Sequence, residues 1–314
     1  MDYLFLILGL VILIFSGEFL VRGAVSLAII FNISKLVIAM TIVSFGTSAP
    51  ELLISLKAAH GGHPDIAIGN VVGSNIANIT LILGISAIFS VIKINKNTLR
   101  LDWPVMFSFS VLLYLFLLDS VLSSFEGAIL LSLLFVFGFY LFYKSKKEGV
   151  VAIESADEID VVAKPNVLKS VFFIVLGSAG LVLGADWMLE SSVNIAQKWN
   201  ISERVIGITI IAFGTSLPEL VTSLVAIYRK QDDISVGNLI GSNIFNISAI
   251  LGITSIVSPI QVSQEIIQFD LLLMLFASFI IFPLMVHKKS LSTLKGAFLF
   301  LFYISFMVFL YYKN

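Results

Sequence analysis

The stretch Gly46-Thr47-Ser48-Ala49-Pro50-Glu51 puts a carboxylate and a helix breaker inside a long apolar run. Gly214-Thr215-Ser216-Leu217-Pro218-Glu219 does the same 168 residues later. A charged side chain at the centre of a bilayer costs at least ~2.5–3.5 kcal/mol, so an intramembrane Glu marks function by default. The chain around these stretches is 58% hydrophobic and 12% charged, with a mean hydropathy of +1.04. Soluble domains carry about 25% charge, so the composition is that of a polytopic membrane protein. The net charge of −1 predicts no nucleic-acid partner. The absence of Cys excludes disulfides and thiolate metal sites. Met1-Asp2-Tyr3 runs straight into a span-length apolar segment without a basic region, so no cleavable signal peptide is expected.

A membrane-spanning helix needs about 20 apolar residues. The apolar runs predict ten spans, at 3–27, 35–59, 65–91, 103–119, 126–143, 168–195, 203–228, 234–257, 267–286 and 295–312. The longest polar stretch separates the fifth from the sixth. It carries Lys144, Lys146 and Lys147, then Glu154, Asp157, Glu158 and Asp160. That acidic cluster reads as a solvated linker or as a weak regulatory Ca²⁺ site, and it is too short for a folded domain. With the N-terminus outside, 14 of the 19 basic residues fall in inside loops. Both termini are therefore expected outside and the central loop in the cytoplasm.

Adding 168 to a first-half number lands on its counterpart. Between 41–84 and 209–252 there are 25 identities in 44 positions without a gap, and most of them outside the aliphatics are polar, Gly or Pro. Each half holds five predicted spans, and an odd number turns the second half over. The expected fold is an all-α polytopic membrane protein of ten transmembrane helices in two inverted five-helix repeats. The first repeat is 1–143, a cytoplasmic linker is 144–167, and the second repeat is 168–314. Secondary transporters follow this plan, with the site near the midplane at the repeat interface.

The motif suits a hard cation. Pro50 and Pro218 lack an N–H and clash with the preceding turn. Each helix is expected to break there, freeing carbonyl oxygens at Ser44 to Ser48 and at Ala212 to Ser216. Irregular backbone at membrane depth is tolerated where it lines a cavity. Those carbonyls, the hydroxyls of Thr47, Ser48, Thr215 and Ser216, and the carboxylates of Glu51 and Glu219 make an all-oxygen cage. Ca²⁺ takes about 6–8 oxygen ligands. Two facing carboxylates balance one Ca²⁺ or two Na⁺.

A second repeated block is Gly69-Asn70-x-x-Gly73-Ser74-Asn75-x-x-Asn78, copied as Gly237-Asn238-x-x-Gly241-Ser242-Asn243-x-x-Asn246. Its small residues let helices approach closely. Asn78 and Asn246 lie four residues after Ser74 and Ser242, on one helix face, and can coordinate a cation or hold the Glu carboxylates. Asn70 and Asn238 read equally as packing residues. Arg22 follows Glu18 by four residues, which suits an ion pair, and Asp186 and Glu190 occupy the matching places. His60 and His63 fall at a turn with Gly61, Gly62 and Pro64.

These blocks resemble the two alpha repeats of the cation/Ca²⁺ antiporter superfamily, in its prokaryotic sodium/calcium exchanger (YrbG-type) branch, over nearly the whole chain. The proton-coupled branch usually carries a Gly-Asn-x-x-Glu motif, absent here. The resemblance implies a Na⁺/Ca²⁺ antiporter of the inner membrane, working as a monomer in the lipid bilayer. It implies no cofactor, Ca²⁺ and Na⁺ being the transported ions, and four subsites in a diamond. By position, Glu51 and Glu219 with the Thr47 and Thr215 carbonyls would hold Ca²⁺. Sodium would use the same Glu residues with Ser44, Ser48, Ser74, Ala212, Ser216 and Ser242, and Asn78 and Asn246 would surround the central subsite. Related archaeal and potassium-dependent exchangers have Asp where this chain has Asn246, which argues against potassium dependence. Ser44 matches Ala212, so the two sodium positions are not equivalent. Two other readings fit parts of the pattern, a proton-coupled divalent-cation antiporter and a non-transporting membrane calcium sensor. An intramembrane hydrolase would need a nucleophile or a His-Glu-x-x-His set, and no span has one.

Overall fold

In hydrocarbon every backbone N–H and C=O must be satisfied within its own segment, so the long apolar runs become helices. The computed structural model describes residues 2–147, 166–198 and 214–313. The acidic cluster at 154–160, the first part of the seventh predicted span and Ala212 lie outside the described residues. In chain order the helices are α1 (Asp2–Phe31), α2 (Lys35–Thr47), α3 (Ala49–His60), α4 (Pro64–Phe89), α5 (Thr98–Asp119) and α6 (Ser124–Lys147). They continue as α7 (Val167–Lys198), α8 (Leu217–Tyr228), α9 (Asp232–Val257), α10 (Ile266–Lys289) and α11 (Thr293–Lys313). Among the described residues, eight of these are long and apolar enough to cross a membrane. The pair α2 and α3, bent by 48°, passes as one broken span, and α8 is a shorter apolar helix.

The bend sits at the proline motif and is narrower than the sequence suggests. Only Ser48 leaves helical geometry, with φ −88° and ψ 10°, and Ser216 does the same with φ −92° and ψ 7°. The Ser48 N–H still donates to the Ser44 carbonyl at 3.0 Å, so that carbonyl is not freed. Pro50 and Pro218 are second in their helices, where a missing N–H falls among donors that lack a partner at any helix start. One residue is enough to re-aim the chain.

Two helices form the centre. In α4 and α9, 83% and 78% of the most apolar window is buried, against 17–33% in the other six spans. Their polar residues therefore face protein rather than lipid. Each changes to wider π winding partway along, at Asn78–Ile82 and at Asn246–Leu251. Insertions of this kind recur at functional sites.

Contacts between the halves are reciprocal. A Cβ on Gly9 would meet the Gly184 carbonyl at 2.9 Å, and one on Gly177 the Ser16 carbonyl at 2.8 Å, which fixes how closely α1 and α7 cross. Gly84 in α4 meets Gly296 in α11, and Gly252 in α9 meets Gly127 in α6, in the same way. Two short antiparallel ribbons also join the halves. Strand β1 (Ile92–Lys93) pairs with β4 (Ser290–Leu291), and β2 (Val121–Leu122) with β3 (Ile260–Gln261).

Candidate functional site

Glu51 is the third residue of α3 and Glu219 the third of α8. Each sits in a first helical turn, where the unpaired N–H groups and the helix dipole favour negative charge. Both are 1% exposed. The two motifs touch, because the Ser48 hydroxyl donates to Glu219 Oε1 at 3.1 Å. The packing is crossed. Helix α3 lies against the π-wound Asn246–Leu251 and α8 against Asn78–Ile82, so each carboxylate enters beside the other half's asparagine helix.

Several buried oxygens here have no hydrogen-bond partner among the described residues. They are Glu51 Oε2, Glu219 Oε2, Asn78 Oδ1, Asn246 Oδ1 and Ser216 Oγ. A buried unsatisfied acceptor costs about 1–3 kcal/mol, more when charged, and native structures contain few of them. Three of the five lie on the facing proline motifs and two on the asparagine blocks, a set of hard oxygens whose chemistry suits a cation. Among the described residues no cluster of three or more His, Cys, Asp or Glu occurs.

The remaining expected ligands divide. Ser44 and Thr47 lie in a network between α2 and α9. The Ser44 hydroxyl donates to the carbonyls of Ala39 at 2.8 Å and Asn238 at 3.0 Å. Thr47 Oγ1 donates to Asn238 Oδ1 at 3.3 Å and lies 3.5 Å from Ser242 Oγ. Ser74 and Thr215 instead line a cavity of about 240 Å³, with Gly69, Asn70 and Gly73 on one wall and Tyr303, Phe306 and Met307 of α11 on the other. Asn70, ambiguous in sequence, supports the Glu51 turn: its Nδ2 donates to the Glu51 carbonyl at 3.2 Å and to Ser55 Oγ at 3.0 Å. Glu18 is ion-paired with Arg22, as the spacing suggests, and also with Arg229 at the end of α8.

Asn75 and Asn243 were not among the expected ligands. Asn78 Nδ2 donates to Asn243 Oδ1 at 2.9 Å, and Asn246 Nδ2 donates to Asn75 Oδ1 at 3.0 Å. Their spacing, three residues before Asn78 and Asn246 on the same helix face, carries the signal.

A family model for sodium/calcium exchanger proteins matches residues 1–143 and 169–312. The chain is 34% identical over 296 residues to the inner membrane protein YrbG of Escherichia coli, covering 93% of this chain and 90% of that one. It is 32% identical over 345 residues to the sodium/calcium exchanger MaX1 of Methanosarcina acetivorans, covering 99% of each. A solved structure of the sodium-calcium exchanger NCX_Mj, soaked with zero Na⁺ and Ca²⁺, superposes with a TM-score of 0.84. It is 30% identical, and the match covers 98% of both chains. Another, soaked with 2.5 mM Na⁺ and 0.1 mM Ca²⁺, gives a TM-score of 0.82 at 31% identity over 96% of each chain.

Proposed function

The chain belongs to the sodium/calcium exchanger protein family and exchanges Na⁺ for Ca²⁺, and from that premise we propose that the exchange runs through one two-carboxylate site built by both proline motifs. Glu51 and Glu219 supply the charge, enough for one Ca²⁺ or two Na⁺. Ser48, Ser216, Asn78 and Asn246 supply neutral oxygens, and Thr47, Thr215, Ser44, Ser74, Ser242 and Ala212 complete the surrounding subsites. The observation that carries this reading is the set of partnerless buried oxygens on the two proline motifs, joined by the Ser48–Glu219 hydrogen bond, and on Asn78 and Asn246 beside them.

The broken pair α2 and α3 counts as one span, and the apolar run at 203–228, of which the structure describes α8, as another. The total is then ten, in two inverted five-helix repeats at 1–143 and 168–314 around a cytoplasmic linker, with both termini outside. Support comes from element bounds that repeat at the sequence offset. Ala49–His60 matches Leu217–Tyr228, and Pro64–Phe89 matches Asp232–Val257. Two mirrored halves can exchange inward-open and outward-open shapes, so sodium entering down its gradient displaces Ca²⁺ from shared oxygens. The protein works as a monomer, since one chain supplies both halves of the site.

The test is ⁴⁵Ca²⁺ flux in proteoliposomes under an imposed sodium gradient. Glu51→Gln and Glu219→Gln should each lower it by more than 100-fold, and a pH gradient alone should drive nothing. Normal exchange by both variants would overturn the site. Flux driven by the pH gradient alone would overturn the sodium coupling.

A further inference from the structure

We propose that Asn75 and Asn243 are positioning residues that orient the Asn246 and Asn78 amides across the repeat interface, so that each presents its carbonyl oxygen to the transported cation. The proposal rests on the placing of Asn78 and Asn246 at the cation site argued above.

An Asn amide can face a cation with an oxygen, which attracts it, or with an NH₂, which repels it. The two ends differ little in shape, so hydrogen bonding decides between them. Here the choice starts from backbone carbonyls, which only accept. Asn75 Nδ2 donates to the Asn243 carbonyl at 3.3 Å, with the thioether of Met274 3.7 Å away. Reversing this amide would set its oxygen against a carbonyl oxygen and a sulfur, both acceptors. Asn75 Oδ1 is thereby turned the other way, where it accepts from Asn246 Nδ2 at 3.0 Å. The NH₂ of Asn246 is committed to that bond, and its Oδ1 is left buried without a partner among the described residues.

The second copy repeats every step. Asn243 Nδ2 donates to the Asn75 carbonyl at 3.3 Å beside Met106, and Asn243 Oδ1 accepts from Asn78 Nδ2 at 2.9 Å. Asn78 Oδ1 is left partnerless in turn. All four side chains are 1% exposed, so water does not compete for these bonds. The arrangement is crossed, each half's positioning residue setting the other half's oxygen. A residue that merely glued α4 to α9 would have no need to leave one acceptor open at the end of each relay.

The test is the apparent KM for Ca²⁺, alongside the maximal rate, in sodium-loaded proteoliposomes. Asn75→Ala should raise KM about 10-fold while the maximal rate falls by less. In an Asn246→Ala background the same change should add less than twofold. In an Asn78→Ala background its full factor should multiply through, because Asn243 keeps its bond to the Asn75 main chain. Asn243→Ala should show the converse. Asn75→Asp, kept protonated by burial, can donate its O–H to the Asn243 carbonyl and retain an oxygen facing Asn246 Nδ2, so its KM should stay close to that of the unaltered protein. It also serves if Asn75→Ala does not yield monodisperse protein.

An unchanged KM in Asn75→Ala, equal multiplication in both backgrounds, or Asn75→Asp raising KM as Asn75→Ala does would each overturn the proposal and leave the site standing. If Asn78→Ala and Asn246→Ala themselves leave KM unchanged, those residues are not ligands and the proposal falls with them. The two Glu→Gln variants separately decide whether the carboxylate site survives.

Discussion

The block from Gly69 to Asn78 and its copy from Gly237 to Asn246 share their glycines, serines and asparagines but not their surroundings. A Cβ on Gly237 would lie 2.9 Å from both Leu36 and Ala39, and one on Gly241 would lie 2.6 Å from Met40 Cα. Helix α2 is therefore closed down on α9. A Cβ on Gly69 or Gly73 would meet none of the described residues within 4 Å, and both glycines line the 240 Å³ cavity beside Ser74 and Thr215. The amides, too, are bonded differently among the described residues. Asn70 is bonded through its Nδ2 to the Glu51 turn, while Asn238 accepts from Ser44 and Thr47 and its Nδ2 has no partner among the described residues. Helix α2 thus packs on the glycines of the second copy, and the positions that match Leu36, Ala39 and Met40 at the offset of 168 (204, 207 and 208) lie outside the described residues. The glycines of the second copy are therefore a close-packing device, with Gly241 set against the main chain of α2.

The largest effects should be the same in both copies. Glu51→Gln and Glu219→Gln should be equally damaging to ⁴⁵Ca²⁺ flux, because each carboxylate supplies half of the charge that a divalent ion requires. A variant that retained most of its flux would break the comparison at its centre. It would mean that one copy carries the site and the other only mirrors it.

The glycines come next, and here the copies should separate. Gly241→Ala must push a methyl group into the main chain of α2. Overpacking of this kind costs about 1–3 kcal/mol, which is up to about 100-fold in an equilibrium. A lowered melting temperature in detergent and a loss of flux of that order are expected. Gly73→Ala, facing the cavity, should stay within about threefold on flux. Equal damage from both would show that Gly73 packs as tightly as Gly241, against residues outside the described ones.

The serines test the same asymmetry at the carboxylates. Ser48 donates to Glu219, while Ser216 Oγ has no partner among the described residues. A hydrogen bond to a charged group contributes about 1.5–3 kcal/mol. Both variants lose an oxygen of the proposed site, and Ser48→Ala, which also loses the bond to Glu219, should raise the apparent KM for Ca²⁺ about 10-fold more than Ser216→Ala. The reverse order would indicate that the Ser48 bond is released before the ion binds.

How much of this was legible follows from what each signal encodes. Apolar runs report burial along the chain, and the helices lie where those runs are, within a few residues. The offset of 168 carries through to the bounds of α3 and α8 and of α4 and α9. The prolines located the break because their effect is local and steric. Its width was not legible, since the Ser48 N–H keeps its bond to the Ser44 carbonyl across the kink. The π winding at Asn78 and Asn246 left no mark either, because it depends on how the two central helices pack. A buried Asn tells the reader that its amide must be satisfied without naming the partner. For that reason Asn75 and Asn243 read as part of a repeat, and only their contacts give them a task. The Ser44 hydroxyl, an expected sodium ligand, is already engaged with Ala39 and Asn238.

The smallest effect should come from the periphery, where the copies differ in charge pairing. Glu18 of α1 is held by Arg22 on its own helix and by Arg229 at the end of α8, through Nη2 and, at 3.0 Å, through Nε. Its counterpart Asp186 of α7 lies within the field of Lys57 on α3 but forms no ion pair with it. Helix α1 is thus tied to the end of α8 by Glu18, a tie that Asp186 of α7 does not repeat among the described residues. Arg229→Gln removes the tie between helices and leaves Glu18 its bond to Arg22, so no carboxylate is stranded. The Arg229 side chain is 44% exposed, and ion pairs at such positions contribute about 0.2–1 kcal/mol. That predicts at most a fivefold shift between the two access states. Ca²⁺ added on one side of the vesicle should show a KM raised by up to this factor, and Ca²⁺ added on the other a KM lowered by it. A change in the same direction from both sides would mean that Arg229 acts on the site itself, and no change would mean that the tie does not discriminate between the states.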